Sequence, residues 1–152
     1  MAKPFDAAIR SQNILVLDPS TFHRTVAGAI LRGLGAGSVE NATDIPEAAA
    51  LVQRVQPSIL ILEWDLDDKI DGIAYTKKIR RSETPFKRDV AIVMASSHAS
   101  QASVETARIA GVDEYVIKPF STGALAARLE SIMLNRREFI DCPVYIGPCR
   151  RR

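Results

Sequence analysis

Five short apolar runs alternate along this chain with segments of helical period: NILVL (13–17), SVENA (38–42), SILIL (58–62), VAIVMA (90–95) and EYVIK (114–118). Parallel strands joined by crossover helices require such an alternation. The first, third and fourth runs are nearly continuous in Val, Ile, Leu and Met, as strands buried on both faces must be, whereas SVENA is more polar and suits an edge. The intervening segments TFHRTVAGAILRGL, IPEAAALVQRV, GIAYTKKIRR and QASVETARIA, and one from about Ser121 to Arg137, read as helices. Asp44 and Ser121 stand where N-caps belong, and Gly35, Gly37 and Gly111 where left-handed helix ends are wanted.

The length of 152 residues accommodates one α/β domain with its own core and does not comfortably hold two. The organisation read from the pattern is an N-terminal extension over 1–11, a domain over 12–135 and an arginine-rich C-terminal tail over 136–152. An apolar fraction of 47% with 25% charged residues is that of a soluble protein, and no run approaches the roughly 20 apolar residues of a membrane span. MAKPFDAAIR lacks the apolar stretch of a secretory signal, so a cytoplasmic location is expected. Cys142 and Cys149, with six residues between them, match no zinc-ligand spacing and suit free thiols. The tail carries five Arg against Glu138 and Asp141, a net +3 in a chain of net +2, which leaves residues 1–135 at −1.

In an open α/β sheet, ligands and chemistry gather beyond the carboxyl ends of the strands. Reading those ends gives Asp18, Glu63, Ser96 and Lys118: two carboxylates, a hydroxyl and a cation. His98 in SSHAS and His23 in the first helix are expected near this cluster as solvated neighbours, neither having a partner pattern that suggests catalysis.

Across residues 12–135 these features resemble the receiver domain of bacterial response regulators, the chemotaxis-type phosphorylation module. ILVLDPSTFHRTVAGAILRGLG is similar to that family's first strand and helix, EWDL followed by Asp71-Gly72 to its phosphorylation loop, and AGVDEYVIKPF to its final strand with Gly111, Tyr115, Lys118 and Pro119 in the family's positions. The resemblance implies a flavodoxin-like, doubly wound five-stranded parallel sheet of order 2-1-3-4-5, with a cis bond before Pro119. It also implies an aspartate acceptor at the end of the third strand and an acidic pair after the first that helps hold Mg²⁺.

This sequence departs from that pattern twice. Asp18 keeps one member of the acidic pair, but Pro19 follows it and brings no ligand atom; only a weakened Mg²⁺ site through Asp18 would persist, and no other cofactor is expected. At the acceptor position stands Glu63, whose extra methylene displaces the carboxylate by over an ångström, a misplacement worth about a hundredfold in a positioned reaction. Asp65 is the alternative acceptor, because DLDDKIDG is one residue longer than usual counted from Glu63 and one shorter counted from Asp65, with Asp67 where the family has Pro. The expectation is an atypical single-domain receiver, not an enzyme, that is not switched by ordinary aspartyl phosphorylation. Ser96, Tyr115 and Lys118 would be its switch and anchor, with Glu63 imitating part of the phosphorylated state by bonding Ser96 or Lys118. The other reading is that Ser96 caps a loop, Tyr115 packs as core and Lys118 pairs with Asp18.

The implied partner is a protein that engages the face made by the receiver's fourth helix, fifth strand and fifth helix, or a second copy of the chain; no DNA-binding or catalytic output domain is read in the remaining length. A second function is left open in the tail NRREFIDCPVYIGPCRRR. Arg136, Arg137, Tyr145, Arg150, Arg151 and Arg152 combine guanidinium forks with a ring, as a cyclic dinucleotide such as cyclic di-GMP requires. The tail is nevertheless expected to fold back on the domain, because Phe139, Ile140, Val144, Tyr145 and Ile146 are too apolar for a free arm.

Overall fold

A computed structural model describes residues 3–151. The elements run α1 (Pro4–Arg10), β1 (Asn13–Leu17), α2 (Thr21–Gly33), β2 (Ser38–Ala42), α3 (Ile45–Val55), β3 (Ile59–Leu62), α4 (Gly72–Arg80), β4 (Ala91–Ser96), α5 (Gln101–Ala110), β5 (Glu114–Ile117), α6 (Thr122–Asn135), β6 (Phe139–Cys142) and β7 (Tyr145–Pro148). Strands β1 to β5 form one parallel sheet of order β2-β1-β3-β4-β5, the expected flavodoxin-like topology. All four residues of β3 and all six of β4 are buried, whereas four of the five in β2 are only partly so, which follows from their composition and edge position.

Alternate residues of the central strands feed two cores. Leu15, Leu17, Leu60, Leu62, Ile92 and Met94 face one side with α3, α4 and α5 residues, while Ile14, Val16, Ile59, Ile61 and Val93 face the other with Leu31, Leu125 and Leu129. The helices start as the sequence suggests: Asp44 Oδ1 accepts from Glu47 N and Ser121 Oγ from Ala124 N. Gly35 and Gly111 have positive φ. Gly37 does not act as a left-handed cap; a Cβ there would lie 2.3 Å from the Arg10 carbonyl oxygen, so its role is close passage of the chain past α1.

Two elements lie outside the sequence-based pattern. The N-terminal extension forms α1, with Pro4 in its first turn and the Asp6 carboxylate accepting from Lys3 N. Its Ile9 is fully buried in the second core, a site no short-range pattern reveals. The tail folds back, as expected, as an antiparallel hairpin of β6 and β7 joined at Cys142↔Tyr145. It packs where β4 and β5 begin. There Arg80, almost wholly buried, donates to the carbonyls of Gly111, Arg88 and Val90 and to Asp113 Oδ2 at 3.0 Å, with the Phe139 ring 5.6 Å from its guanidinium. Desolvation pulls the Arg80 pKa down, and the neighbouring Asp113 carboxylate opposes that shift. Helix α6 stops at Asn135, two residues short of expectation, because Arg136 leaves the helix in extended conformation and donates to Asp113 Oδ1 at 3.0 Å.

Candidate functional site

The chain's carboxylate, hydroxyl and ammonium groups meet where β1, β3, β4 and β5 end. Asp18 follows β1, Glu63 follows β3, Ser96 closes β4, and Lys118 follows β5 at a cis bond to Pro119. The β3–α4 loop is pulled shut over this end: Gly72 N donates to the Trp64 carbonyl at 2.7 Å, and a Cβ on Gly72 would lie 2.3 Å from the Glu63 carbonyl oxygen. Only glycine permits that approach, and Asp71 beside it caps α4 by accepting from Ala74 N. The Asp71-Gly72 pair therefore fixes the backbone from which Glu63 projects.

Lys118 Nζ is the hub. It donates to Glu63 Oε2 at 2.5 Å and to Asp18 Oδ2 at 2.6 Å, and lies 3.0 Å from His23 Nδ1. The Lys118, Glu63 and Asp18 side chains are each less than a tenth exposed, so these charge-assisted bonds are little screened. The remaining oxygens are also engaged: Asp18 Oδ1 accepts from Ser20 N at 2.9 Å and Glu63 Oε1 from Asp65 N at 3.2 Å. Both pairings weighed from the sequence, Lys118 with Glu63 and Lys118 with Asp18, are present together. His23 sits at the rim as expected, 3.8 Å from Asp18.

This donor set does not fit a Mg²⁺ ion as arranged. Pro19 offers no side-chain oxygen, and all four carboxylate oxygens of Asp18 and Glu63 already accept hydrogen bonds within the chain.

The β4–α5 loop is fastened beside this hub. Ser96 Oγ accepts from His98 N at 3.2 Å, and the buried Tyr115 donates its hydroxyl to the His98 carbonyl at 2.6 Å. Burial pushes the Tyr115 phenol up; the Ser96 hydroxyl opposes that shift, and the carboxylates of Glu63 and Asp65 add to it. His98 is not the solvated loop residue expected from sequence. Its Nε2 lies 3.0 Å from Asp65 Oδ2 and its ring 4.6 Å from that of Trp64, because the ends of the neighbouring strands β3 and β4 bring residues 64, 65 and 98 together. Trp64 and Asp65 flanking the third strand end, and a His two residues past the fourth, are the signal that adjacency of strands 3 and 4 would have exposed. Asp65, the alternative acceptor, is exposed and bound to His98, while the hydrogen bonds of Lys118 go to Glu63, Asp18 and His23.

The tail arginines do not converge on one pocket. Arg136 and Arg137 both donate to Asp113, at the opposite end of the sheet, Arg137 to its carbonyl. Arg150 lies over the Tyr145 ring at 4.7 Å, its carbonyl held by Arg108, and Arg151 is exposed. Arg152 lies outside the described residues. Between α5 and α6, over the free edge of β5, runs a groove of about 600 Å³ with Val104, Val116, Ile117 and Ala124 along it and Arg108 and Arg128 at its margins. Among the described residues, no helix is long and apolar enough to cross a membrane.

Several known proteins are similar to this chain. A chemotaxis protein CheY homolog of Campylobacter jejuni is 31% identical over 121 residues, covering 79% of this chain and 91% of its own length. Chemotaxis protein CheY1 of Helicobacter pylori is 32% identical over 79% of this chain and 95% of its own. Among solved structures, a two-component response regulator from Clostridium difficile superposes with a TM-score of 0.71 at 26% identity, covering 82% of this chain and 98% of that one. The receiver domain of a Pseudomonas aeruginosa sensor histidine kinase, solved with a magnesium ion in its active-site cleft, superposes with a TM-score of 0.65 at 29% identity, covering 78% and 94%. With the response regulator receiver domain model matching residues 14–130, this chain belongs to the receiver family of two-component signalling.

Proposed function

We propose that this receiver works as a protein-binding module whose switch is held by Glu63 rather than by a phosphorylated aspartate. The observation that carries the reading is the 2.5 Å bond from Lys118 Nζ to Glu63 Oε2. In a phosphorylated receiver the anchor lysine meets an added phosphoryl group; here a built-in carboxylate already occupies it, with one negative charge where phosphate brings nearly two. The buried Tyr115 agrees with this reading, since an inward aromatic is what phosphate brings about in ordinary receivers, whereas the Ser96–His98 loop bond and the Lys118–Asp18 pair are those of the structural reading, in which Ser96 caps a loop. The groove between α5 and α6 beside Tyr115 is then the partner face, its apolar floor suiting a protein segment with apolar side chains.

The other readings have less support. Phosphorylation at Asp65 would have to displace His98 and reach a lysine committed elsewhere. Cyclic dinucleotide binding by the tail retains, among the described residues, Arg150 and Arg151, since Arg136 and Arg137 are spent on Asp113. The test is a comparison of NMR spectra of the wild type and Glu63→Gln, each with and without beryllofluoride and Mg²⁺. The reading predicts that beryllofluoride leaves the wild-type resonances of Ser96, His98 and Tyr115 in place, and that Glu63→Gln alone moves them. Beryllofluoride shifts in the wild type would overturn it.

A further inference from the structure

We propose that the free edge of β5 takes up an extended segment of a partner protein as a further strand of the sheet, with Tyr115 and Ile117 supplying the backbone hydrogen bonds, a step that rests on the groove between α5 and α6 being the partner face. Its content is the conformation of the partner segment: a strand, not a helix.

The backbone of β5 decides that conformation. β5 stands at the end of the strand order and is paired by β4 on one side alone. Met94 stands opposite Tyr115 and Ser96 opposite Ile117, and Lys118 N donates to the Ser96 carbonyl, so Val116 and Lys118 turn their backbone groups to β4. The alternate residues turn theirs the other way, and the N–H and C=O of Tyr115 and Ile117 face the free edge. Among the described residues no backbone or side-chain group bonds them. Both residues line the groove, and Ile117 is 43% exposed. A row of such groups is a template for another strand. A helix laid in the groove would add nothing to them, because its own N–H and C=O groups are bonded within itself.

The walls suit the same occupant. The groove holds about 600 Å³ between small side chains: Val104 and Ala107 of α5, and Ala124 and Ala127 of α6. Val104 and Ala107 pack with one core and Ala124 with the other, so the two walls lie on opposite faces of the sheet. Successive side chains of an added strand turn to opposite faces, and each would meet an apolar wall. Short, β-branched residues fit both the walls and the extended backbone.

The probe is an N-acetylated, C-amidated pentapeptide alternating threonine and valine, beside the same peptide methylated on two adjacent central amide nitrogens. Methylating two neighbours blocks both edges of a strand and leaves the side chains unchanged. Titrated into the 15N-labelled protein, the first peptide is expected to shift the amides of Val104, Tyr115, Ile117 and Ala124 saturably and to slow hydrogen exchange at the Ile117 amide about tenfold. The methylated peptide should bind about tenfold more weakly. Ile117→Pro removes a donor on the free side of β5 and leaves the β4 ladder intact, so it should weaken the first peptide; Ala124→Leu, which narrows the groove, should abolish its binding. Equal binding of the two peptides in the groove, or unslowed exchange at Ile117, would overturn strand addition and leave the groove standing as the partner face. Absence of saturable shifts at these residues, or binding unchanged in either variant, would also overturn strand addition. The beryllofluoride response of Ser96 and His98, recorded on the same samples, reports on the Glu63 switch separately.

Discussion

Lys118 is bound simultaneously to Glu63 and Asp18, at 2.5 and 2.6 Å, so one buried cation is shared by two buried carboxylates. That stoichiometry ranks the consequences of removing each member. Lys118→Ala leaves two carboxylates facing each other without a counter-charge, and should cost roughly 3–5 kcal/mol, the range for breaking a buried ion pair. Glu63→Gln leaves a balanced Lys118–Asp18 pair and should cost about 1 kcal/mol. Urea denaturation of the two variants checks the ranking, and an equal loss in both would show that the carboxylates are not in competition for the lysine.

The single tryptophan reports on the loop that carries Glu63. Trp64 lies against the His98 ring, whose Nε2 is held by Asp65. His98→Ala removes the stack and the Asp65 contact together, so Trp64 emission should shift toward the red while global stability changes by no more than about 1 kcal/mol, since Asp65 is exposed. An unmoved emission maximum would contradict the placement of His98.

At the other end of the sheet, Asp113 receives Arg80 at 3.0 Å and Arg136 at 3.0 Å, and both of its oxygens are buried with it. Asp113→Ala strands the buried Arg80 guanidinium and should cost roughly 3–5 kcal/mol by thermal or urea unfolding. Arg136→Ala leaves the Arg80–Asp113 pair intact and should cost about 1 kcal/mol.

Alkaline pH should destabilise the fold through Tyr75. Its phenol is raised by burial from the usual 10 to about 12 in the folded chain. Between those values the unfolded chain loses the proton while the folded chain keeps it, so stability is intact below about pH 10 and declines as pH rises toward 12, by roughly 2–3 kcal/mol in all. Tyr75→Phe should flatten much of that decline in urea melts recorded across the window, leaving the smaller parts from Tyr115 and Tyr145, which burial also raises.

The sheet was legible because its residues announce themselves: NILVL, ILIL and AIVMA read as buried strands before any contact is known, and the caps at Asp44 and Ser121 mark helix starts. Asp18, Glu63, Ser96 and Lys118 were legible as a cluster because strand ends in a parallel sheet share one edge. What escaped depends on tertiary meetings without a local signature. Ile9, in the short extension MAKPFDAAIR, carries no sign of burial until α1 docks. Arg80 reads as a solvated helix end until carbonyls of Gly111, Arg88 and Val90 surround it. His98 and Asp65 stand 33 residues apart in sequence, and Arg136 and Arg137, left open as members of a ligand-binding tail, both donate to Asp113.

The most direct measurement is the intact mass of the protein after incubation with acetyl phosphate and Mg²⁺ at neutral pH, beside the Glu63→Asp variant. With Glu63 already bound to Lys118, the wild type is predicted to gain no phosphoryl group. A wild-type adduct, whether it maps to Glu63 or to Asp65, would contradict the account.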